Sequence, residues 1–342
     1  MVGMRDVAKK AGVSLSTVSL VVNGNGYVSN DMRDRVRKAM QALNYVPNEL
    51  ARNLYHDRTN LVGVIVPTIR HPFFATFTAH LQHALAAQGL RTMLCSTTDE
   101  TDGEIQYVDM LRRHMMDGIV MCAHTSHPGD YWTSIHRPIV AFDRVLGNGI
   151  SSIGSDHEQG GRLIAQMLIR NGARHVVMIG GPRDQFFDLA VRGEVEEGSF
   201  DLGKTTFPTV RYYLTLEQEL TSEGVKYEYI EAGEVMDFAG YHRAVSRALD
   251  GVATDGVDAV VSSDIGAAFC VREALSRGIS IPDELQVVAY DGTYLTDLAG
   301  MKLTAVAQDF SAIAQSAADH MVQAIANEEA AAANASRKNI PK

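Results

Sequence analysis

Apolar side chains in the first 46 residues recur at the spacing of three short helices. Residues 4–11 place four apolar positions on one helical face, and a glycine then interrupts the run. Ser14 can cap a second helix over about 15–22 by accepting a backbone hydrogen bond. After a glycine-rich loop, Ser29 can cap a third helix that ends near residue 43. The pattern predicts a small all-α domain over residues 1–46.

A different pattern begins at Leu61, where short apolar runs alternate with longer amphipathic stretches. Continuous apolar runs separated by helices are typical of parallel sheets that are covered on both faces. The predicted strands are 61–67, 92–96, 118–123, 138–142, 175–180, 226–230, 258–263, 285–290 and 303–307. The predicted helices cover about 74–88, 103–115, 158–171, 212–223, 237–250, 265–277 and 310–327. Nine strands in this length favour an α/β body of two doubly wound lobes.

The domain limits follow from the same pattern. We expect the last strand and helix to complete the first lobe, which then comprises about 60–157 and 291–325, while the second comprises about 158–290. Residues 47–59 form a linker, because Pro47 stops the third helix. The helix that could follow Pro47 is too short to be stable alone in water, so we expect it to fold on contact with a partner.

Charge is distributed unevenly along the 342 residues. The chain has a net charge of −10, whereas residues 1–58 carry nine lysines and arginines against five acidic residues and are therefore net positive. A basic head on an acidic body indicates a polyanionic partner for the head, with chance clustering as the alternative. Three widely spaced cysteines and the lack of a long apolar run predict a protein of the reducing cytoplasm.

The first two predicted helices and the short turn between them form a helix-turn-helix arrangement, whose second helix enters the major groove of DNA. Apolar side chains pack the two helices together, which leaves Leu15, Ser16, Thr17 and Ser19 near the leading edge. Hydroxyl groups can reach base edges or phosphates, and an apolar side chain suits a thymine methyl group. The alternative is an ordinary helical hairpin in which Ser14 is only a cap, but the basic surroundings favour DNA.

Several longer motifs resemble one family of regulators. The stretches "RDVAKKAGVSLSTVSLVVN", "SDHEQGGRLIAQMLIRNGARHVVMIGGP" and "SSDIGAAFCVREALSRGISIPDELQVVAYDG" are similar to the lactose-repressor (LacI/GalR) family of transcriptional regulators. The resemblance covers nearly the whole chain apart from a gap near 183–235. It implies a helix-turn-helix head, a hinge helix that orders on operator DNA, and a two-lobed body like that of periplasmic sugar-binding proteins.

By position, the resemblance implies that Leu15 and Ser16 are the main base readers. Leu20 stands where many members have a base-contacting arginine, so the base preference at that operator position is open. Leu54 matches the hinge leucine that wedges into the minor groove, although simple packing of a short helix is the alternative. The other expected DNA contacts are Arg5, Ser14, Thr17, Ser19, Asn23 and Tyr45 in the head, and Asn48, Ala51 and Asn53 in the hinge.

Polar residues follow the apolar runs of the body, at the strand ends where doubly wound folds bind ligands. Carboxylates and amides beside aromatic rings suit a polyhydroxylated ligand. The segment after the first strand contributes His71, Phe73 and Phe74. The resemblance implies further effector contacts at Asp143, Asp264, Asp291, Gln308 and Phe310. Each carboxylate could instead cap the helix that follows it, and Asp264 is well placed to do so.

The resemblance also implies an effector-binding arginine after the Gly-Pro that ends a second-lobe strand. Arg192 lies at about the right distance, but an apparent insertion of about 15 residues separates it from Arg211, which could fill the same role. We favour Arg192. Phe238 could supply the aromatic side chain that other members present to the ligand.

Enzyme signatures are missing from the sequence. No dinucleotide-binding, P-loop or nucleophile-elbow motif occurs. The pairs His80/His83 and His124/His127 have no further ligands nearby, which favours surface histidines over a metal site. We therefore expect no cofactor, no metal and no catalysis.

The sequence predicts a homodimeric repressor that binds a near-palindromic operator and is controlled by a small molecule, a sugar or sugar derivative, bound between the lobes. Two alternatives stay open. One is a corepressor-dependent regulator that senses a non-sugar metabolite, and the other is a sugar-binding protein without a DNA role.

Overall fold

The computed structural model describes residues 2–24, 26–47, 58–97, 103–123, 127, 130–188, 205–235 and 237–338. The chain separates into two compact units, Met1–Thr59 and Asn60–Lys342.

The first unit contains three helices, which begin and end close to the predicted positions: α1 (Met4–Ala11), α2 (Leu15–Asn23) and α3 (Asn30–Ala42). Both predicted serine caps form: the amide of Thr17 donates to Ser14 Oγ at 3.1 Å, and that of Met32 donates to Ser29 Oγ at 3.4 Å. These bonds satisfy amide groups that have no partner inside the helix. One fully buried valine from each helix forms the centre of the core: Val7, Val18 and Val36.

Arg35 joins α3 to the turn of the helix-turn-helix. Its Nη2 donates to the carbonyl oxygens of Ala11 and Gly12 at 2.7 and 3.0 Å, and its Nε donates to Ala11 at 3.1 Å. Gly12 has a φ of 64°, a left-handed conformation that a glycine adopts without strain. The guanidinium therefore fixes the turn that sets the angle between α1 and α2.

The second unit contains two five-stranded parallel sheets. The first has the order β2-β1-β3-β4-β5, from β1 (Leu61–Val66), β2 (Arg91–Ser96), β3 (Gly118–Met121), β4 (Ile139–Phe142) and β5 (Ser151–Ile153). The second has the order β10-β9-β8-β6-β7, from β6 (His175–Gly180), β7 (Lys226–Glu231), β8 (Ala259–Ser263), β9 (Gln286–Asp291) and β10 (Thr304–Ala307).

Helices cover these sheets. In chain order they are α4 (Pro72–Ala87), α5 (Gly103–Arg112), α6 (His157–Arg170), α7 (Arg211–Ser222), α8 (Phe238–Thr254), α9 (Asp264–Ser276), α10 (Leu295–Leu298) and α11 (Phe310–Lys338). The central strands β3, β4 and β6 are buried along their whole length, which explains their continuous apolar runs. The predicted α/β class with two parallel-sheet lobes is confirmed.

Two strand predictions were wrong. β5 was missed because Ser151 and Ser152 are exposed at the sheet edge and give no apolar run. The last strand, β10, was expected in the first lobe but pairs with β9 in the second sheet, with Ala307 opposite Asp291. Only α11 returns to the first lobe, where it buries Phe310, Ile313 and Met321 in the core. An apolar run indicates that a strand is buried but not which sheet edge it joins.

Candidate effector cavity and DNA-reading head

The head exposes the edge that the sequence predicted to read DNA. Leu15 and Leu20 are 42% and 38% exposed, although both are large apolar residues, and Ser16 is also exposed. Leu20 therefore does not turn into the core; its side chain lies against the loop after α2. Arg5, Lys9 and Lys10 are exposed on α1.

The polar residues of this edge also bond to one another. Ser14 Oγ lies 2.9 Å from Thr17 Oγ1, and Asn23 Nδ2 donates to Ser19 Oγ at 3.2 Å. Tyr45 packs partly against the core of the head. The predicted hinge residues Asn48, Ala51, Asn53 and Leu54 lie outside the described residues. One side chain that sequence reasoning missed is Tyr27, which is 94% exposed in the loop between α2 and α3.

A cavity of about 430 Å³ lies between the two lobes of the second unit, at the carboxyl ends of the parallel strands. Residues at or just after eight different strands line it: Pro67, Thr97, Cys122, Asp143, Gly181, Ser263, Asp291 and Gln308. Six of the predicted effector contacts are brought together here: His71, Phe73, Phe74, Asp143, Asp291 and Gln308. Parallel strands deliver these residues to one place because their carboxyl ends share one edge of each sheet.

Asp143 is held by a hydrogen-bonded chain that joins the two lobes. Its Oδ1 lies 2.8 Å from His157 Nε2, and His157 Nδ1 lies 2.7 Å from the hydroxyl of Tyr290 on β9. All three residues are buried. In the tautomer with hydrogen on Nε2, this nitrogen donates a hydrogen bond to the carboxylate and Nδ1 accepts one from the hydroxyl of Tyr290. One carboxylate oxygen is thus used by the protein, and Asp143 still lines the cavity.

Asp291 belongs to a second polar chain. Gln308 Nε2 donates to Asp291 Oδ1 at 2.8 Å, and Ser155 Oγ donates to Gln308 Oε1 at 2.7 Å. Burial raises the pKa of Asp291 well above its usual range, and the charge of Asp264 raises it further. Gln308 is therefore oriented from both ends and fixes the carboxyl group in the cavity wall.

His71 caps α4, because the amide of Phe73 donates to its Nδ1 at 3.3 Å. Burial lowers the pKa of His71 to about 4, so the imidazole is neutral near pH 7. With Nδ1 as an acceptor, the proton of the neutral ring is on Nε2, which can donate a hydrogen bond.

Aromatic rings make up much of the rest of the lining. Among the described residues, five phenylalanines and five tyrosines line the cavity, while the whole sequence has 11 and 12. Tyr212 stacks on Tyr290 with centroids 3.9 Å apart. The hydroxyls of Tyr213 and Tyr229 donate to the carbonyl oxygens of Ile179 and Gly181, at 2.9 and 2.8 Å. These bonds hold the rings in place.

Sequence reasoning missed Tyr212, Tyr213 and Tyr229, since they lie in the part of the chain where the family resemblance has its gap. The signal available was the Tyr-Tyr pair at the start of a helix.

Three predicted contacts do not line the cavity. Asp264 is fully buried and accepts hydrogen bonds from the amide and hydroxyl of Thr293, both at 2.6 Å. It ties the end of β8 to the turn after β9, and its neighbour Ser263 lines the cavity instead. Phe310 packs behind Phe73, with ring centroids 5.4 Å apart. Phe238 packs against the core of the second lobe.

Neither candidate arginine is found in the described lining. Arg192 lies outside the described residues, and Arg211 points to Glu158 at 4.0 Å. Arg144 lines the cavity in their place. Its Nε donates to the carbonyl oxygen of Ala123 at 3.3 Å, and its guanidinium carbon lies 4.7 Å from the ring centroid of Phe207. Burial lowers the pKa of Arg144, an effect that the charge of Asp143 opposes.

The described residues on either side of residues 189–204 meet beside the cavity. Asp188 accepts from the amide and hydroxyl of Thr206, at 2.7 and 2.6 Å. The carbonyl oxygen of Thr206 accepts from the amide of Val145 in the first lobe, at 3.0 Å. The residues that follow, including Phe207 and Val210, enter the cavity lining. Phe207 and Val210 therefore form part of the cavity wall on the side of the second lobe.

Within the described ranges, no cluster of three or more histidine, cysteine, aspartate or glutamate residues could hold a metal ion. His127 lies 2.5 Å from Glu104 and stacks on Tyr131, while His124 is outside those ranges. None of the helices in the described part of the chain is both long and apolar enough to cross a bilayer.

Comparison with known proteins identifies related sequences over nearly the whole chain. Residues 3–48 match the model of bacterial regulatory proteins of the lacI family. Residues 59–202 match periplasmic binding proteins and the sugar-binding domain of the LacI family, and residues 165–340 match a periplasmic binding protein-like domain.

Two curated relatives and one solved structure are especially informative. The sucrose operon repressor of Streptococcus mutans is 30% identical over 95% of this chain and 93% of its own length. The ribose operon repressor of Halalkalibacterium halodurans is 31% identical over 90% and 86%. The lac repressor dimer bound to operator and the anti-inducer ONPF has the same fold, with a TM-score of 0.76 at 21% identity over 96% of this chain and 93% of that one. This chain belongs to the lacI family of bacterial regulatory proteins.

Proposed function

We propose that this protein is a DNA-binding transcriptional repressor whose affinity for its operator is controlled by a sugar bound between the two lobes of its body. One observation carries the proposal: a head with an exposed recognition edge is joined in one chain to a cavity whose walls come from both lobes. The relatives named as sucrose and ribose operon repressors support the sugar class.

For the head, we propose that Leu15 and Ser16 contact base edges, while Leu20 reads an apolar feature where related proteins use arginine. The residues proposed to position the duplex are Arg5, Ser14, Thr17, Ser19, Asn23 and Tyr45, together with the fully exposed Tyr27. Ser14 and Thr17 already bond to each other, so their contribution is to phosphates rather than to bases. The hinge contacts Asn48, Ala51 and Leu54 are part of the same proposal.

For the body, we propose that Asp143 and Asp291 accept hydrogen bonds from sugar hydroxyls, with His71 as a donor and Phe73 and Phe74 packing on the apolar ring face. Asp143 follows a strand of the first sheet, and Asp291 ends a strand of the second. A ligand bound to both carboxylates favours one relative position of the lobes, and this preference is how ligand binding can alter the affinity of the head for DNA.

The assembly that follows is a homodimer, because two heads are needed to read the two halves of a near-palindromic operator. The proposal places the protein in the cytoplasm with the DNA, and it assigns no catalytic step to the cavity.

The test begins with selection of binding sites from random duplex DNA by the full-length protein. We expect a near-palindromic site, with an affinity that falls steeply as salt rises because phosphate contacts release counterions. Deletion of residues 1–58 should abolish binding, and Leu54→Ala should weaken it at least tenfold, about the effect of losing 1.4 kcal/mol. Anisotropy of labelled operator measures both.

The control is Asp143→Asn, which should bind operator like the wild type and lose its response to sugar. Sucrose and ribose are the first sugars to test, and the direction of their effect decides between induction and corepression. If both DNA variants bind the selected site unchanged, the repressor function is wrong.

A further inference from the structure

The cavity has an aromatic compartment on its second-lobe side that the sugar-binding carboxylates do not use. We define this aromatic compartment as Phe186, Phe207, Tyr212, Tyr213 and Tyr229, which belong to or pack against one core cluster of the second lobe and all line the cavity. The rings of Phe186, Tyr213 and Tyr229 lie 5.1–5.7 Å from one another. The guanidinium of Arg183 lies over Phe186 and Tyr229, 4.3 and 5.0 Å from their ring centroids. The ring edges and the faces on the cavity side form a surface suited to a flat or weakly polar ring.

The cavity is larger than a single sugar ring requires. Its volume is about 430 Å³. A water molecule takes up roughly 30 Å³ in the liquid, so the cavity corresponds to about 14 water volumes. A hexose has only a dozen non-hydrogen atoms, and covalently bonded atoms occupy less space than separate waters. A sugar held at Asp143 and Asp291 therefore leaves room for a second ring.

The described lining offers little positive charge to an anionic ligand. The acidic residues in the described lining are Asp143, Asp291 and Glu234. Among the lining residues that the structure describes, the one lysine or arginine is Arg144, whose Nε already donates to Ala123 and whose guanidinium lies over Phe207. A phosphate group placed here would lie beside acidic side chains on both lobes, with Arg144 as its one cationic partner among the described lining residues.

We infer that the effector is an uncharged glycoside of two rings, whose polyhydroxylated ring binds at Asp143 and Asp291 and whose second ring packs in the aromatic compartment. The inference rests on the proposed sugar-responsive function. Two sources supply this chemistry, a disaccharide and a glycoside with an aryl group, and both present a second ring with an apolar face.

Calorimetric titration of the full-length protein tests the inference with five defined probes: glucose, glucose 6-phosphate, cellobiose, sucrose and phenyl glucoside. We expect at least one two-ring probe to bind roughly tenfold or more tightly than glucose, the factor that about 1.4 kcal/mol represents, and glucose 6-phosphate to bind more weakly than glucose. Comparing the affinities of cellobiose and sucrose with that of phenyl glucoside shows whether the second ring is a sugar or an aryl group.

Two substitutions at Tyr229 locate the second ring. Tyr229→Leu removes the aromatic face and should weaken the preferred two-ring probe roughly tenfold without weakening glucose. Tyr229→Phe keeps the ring, loses only the bond to Gly181, and should bind nearly like the wild type. Phe207→Leu repeats the test at a position whose side chain makes no hydrogen bond, and thermal melting checks that each variant folds.

The outcomes separate the two proposals. If glucose or its phosphate binds as tightly as every two-ring probe, or if Tyr229→Leu and Phe207→Leu weaken glucose and the two-ring probe equally, this inference is wrong and the sugar-responsive function stands. Failure of all three two-ring probes to bind would overturn this inference, while the sugar-responsive function is tested separately by the effect of sucrose and ribose on operator binding.

Discussion

At the scale of single residues, hydrogen bonding inside the protein separates the carboxylates that face a ligand from those that do not. Asp143 and Asp291 each give one oxygen to a protein donor and still line the cavity. Asp264 has both oxygens bonded to the turn at Thr293. All three follow apolar strands, so the sequence pattern treats them alike, and only the neighbours that the fold brings to them differ.

His71 makes the stability of the body depend on pH. Its pKa is about 4 in the folded protein and near its ordinary value of 6.5 when the chain unfolds, so between these values the unfolded state binds one more proton. The free energy of unfolding therefore rises with pH across this window. As pH falls from about 6.5 to about 4, it decreases by at most roughly 3 kcal/mol.

The variant His71→Asn keeps a capping acceptor but cannot titrate. We expect the difference in unfolding free energy between variant and wild type to change between about pH 4 and pH 6.5 and to be constant above pH 7. Urea denaturation at several pH values measures it. Because Asp291 titrates in both proteins, its contribution cancels in the difference. A constant difference from pH 7 to pH 4 would contradict the assigned pKa.

At the scale of elements, local signals defined the head better than the body. Helix caps and turns are encoded within a few residues, and α2 and α3 begin where Ser14 and Ser29 place them. The contact that locks the elements together is long-range: Arg35 reaches back to the turn after α1. No spacing rule identifies that arginine among its basic neighbours.

We expect Arg35→Ala to loosen the head without affecting the body. Loss of three hydrogen bonds to carbonyl oxygens should cost about 1–3 kcal/mol of local stability. Hydrogen exchange of the full-length protein should become faster in α1 and α2 and stay unchanged in the second unit, and operator affinity should fall. Arg35→Lys is the matched control for charge, since lysine lacks the forked donors. Equal protection in Arg35→Ala and wild type would show that the turn does not depend on this contact.

At the scale of the whole molecule, the hydrogen-bonded chain through His157 connects the two lobes. It begins at Asp143 in the first lobe, passes through the first residue of α6 and ends at Tyr290 in the second sheet. Such a chain is a physical route by which a ligand on Asp143 can bias the relative position of the lobes.

Tyr290→Phe removes one hydroxyl from this chain and leaves the ring stacked on Tyr212. We expect operator affinity without effector to be preserved, while the change in operator affinity caused by saturating effector falls by about 0.5–2 kcal/mol. Operator anisotropy with and without effector measures this coupling. Tyr131→Phe is the matched control, because Tyr131 lies outside the cavity lining. Identical coupling in Tyr290→Phe and wild type would exclude a role for the chain.

The sequence by itself determined the head, the α/β class and the strand ends where the cavity forms, because caps, turns and continuous apolar runs depend on residues close together in the chain. The tertiary structure alone decided that β10 joins the second sheet and that the carboxylate of Asp264 bonds to the turn after β9 instead of lining the cavity. It also decided that tyrosines, and not Arg211, line the cavity. These features depend on which distant segments pair and pack, and the local pattern of polar and apolar residues does not carry that information.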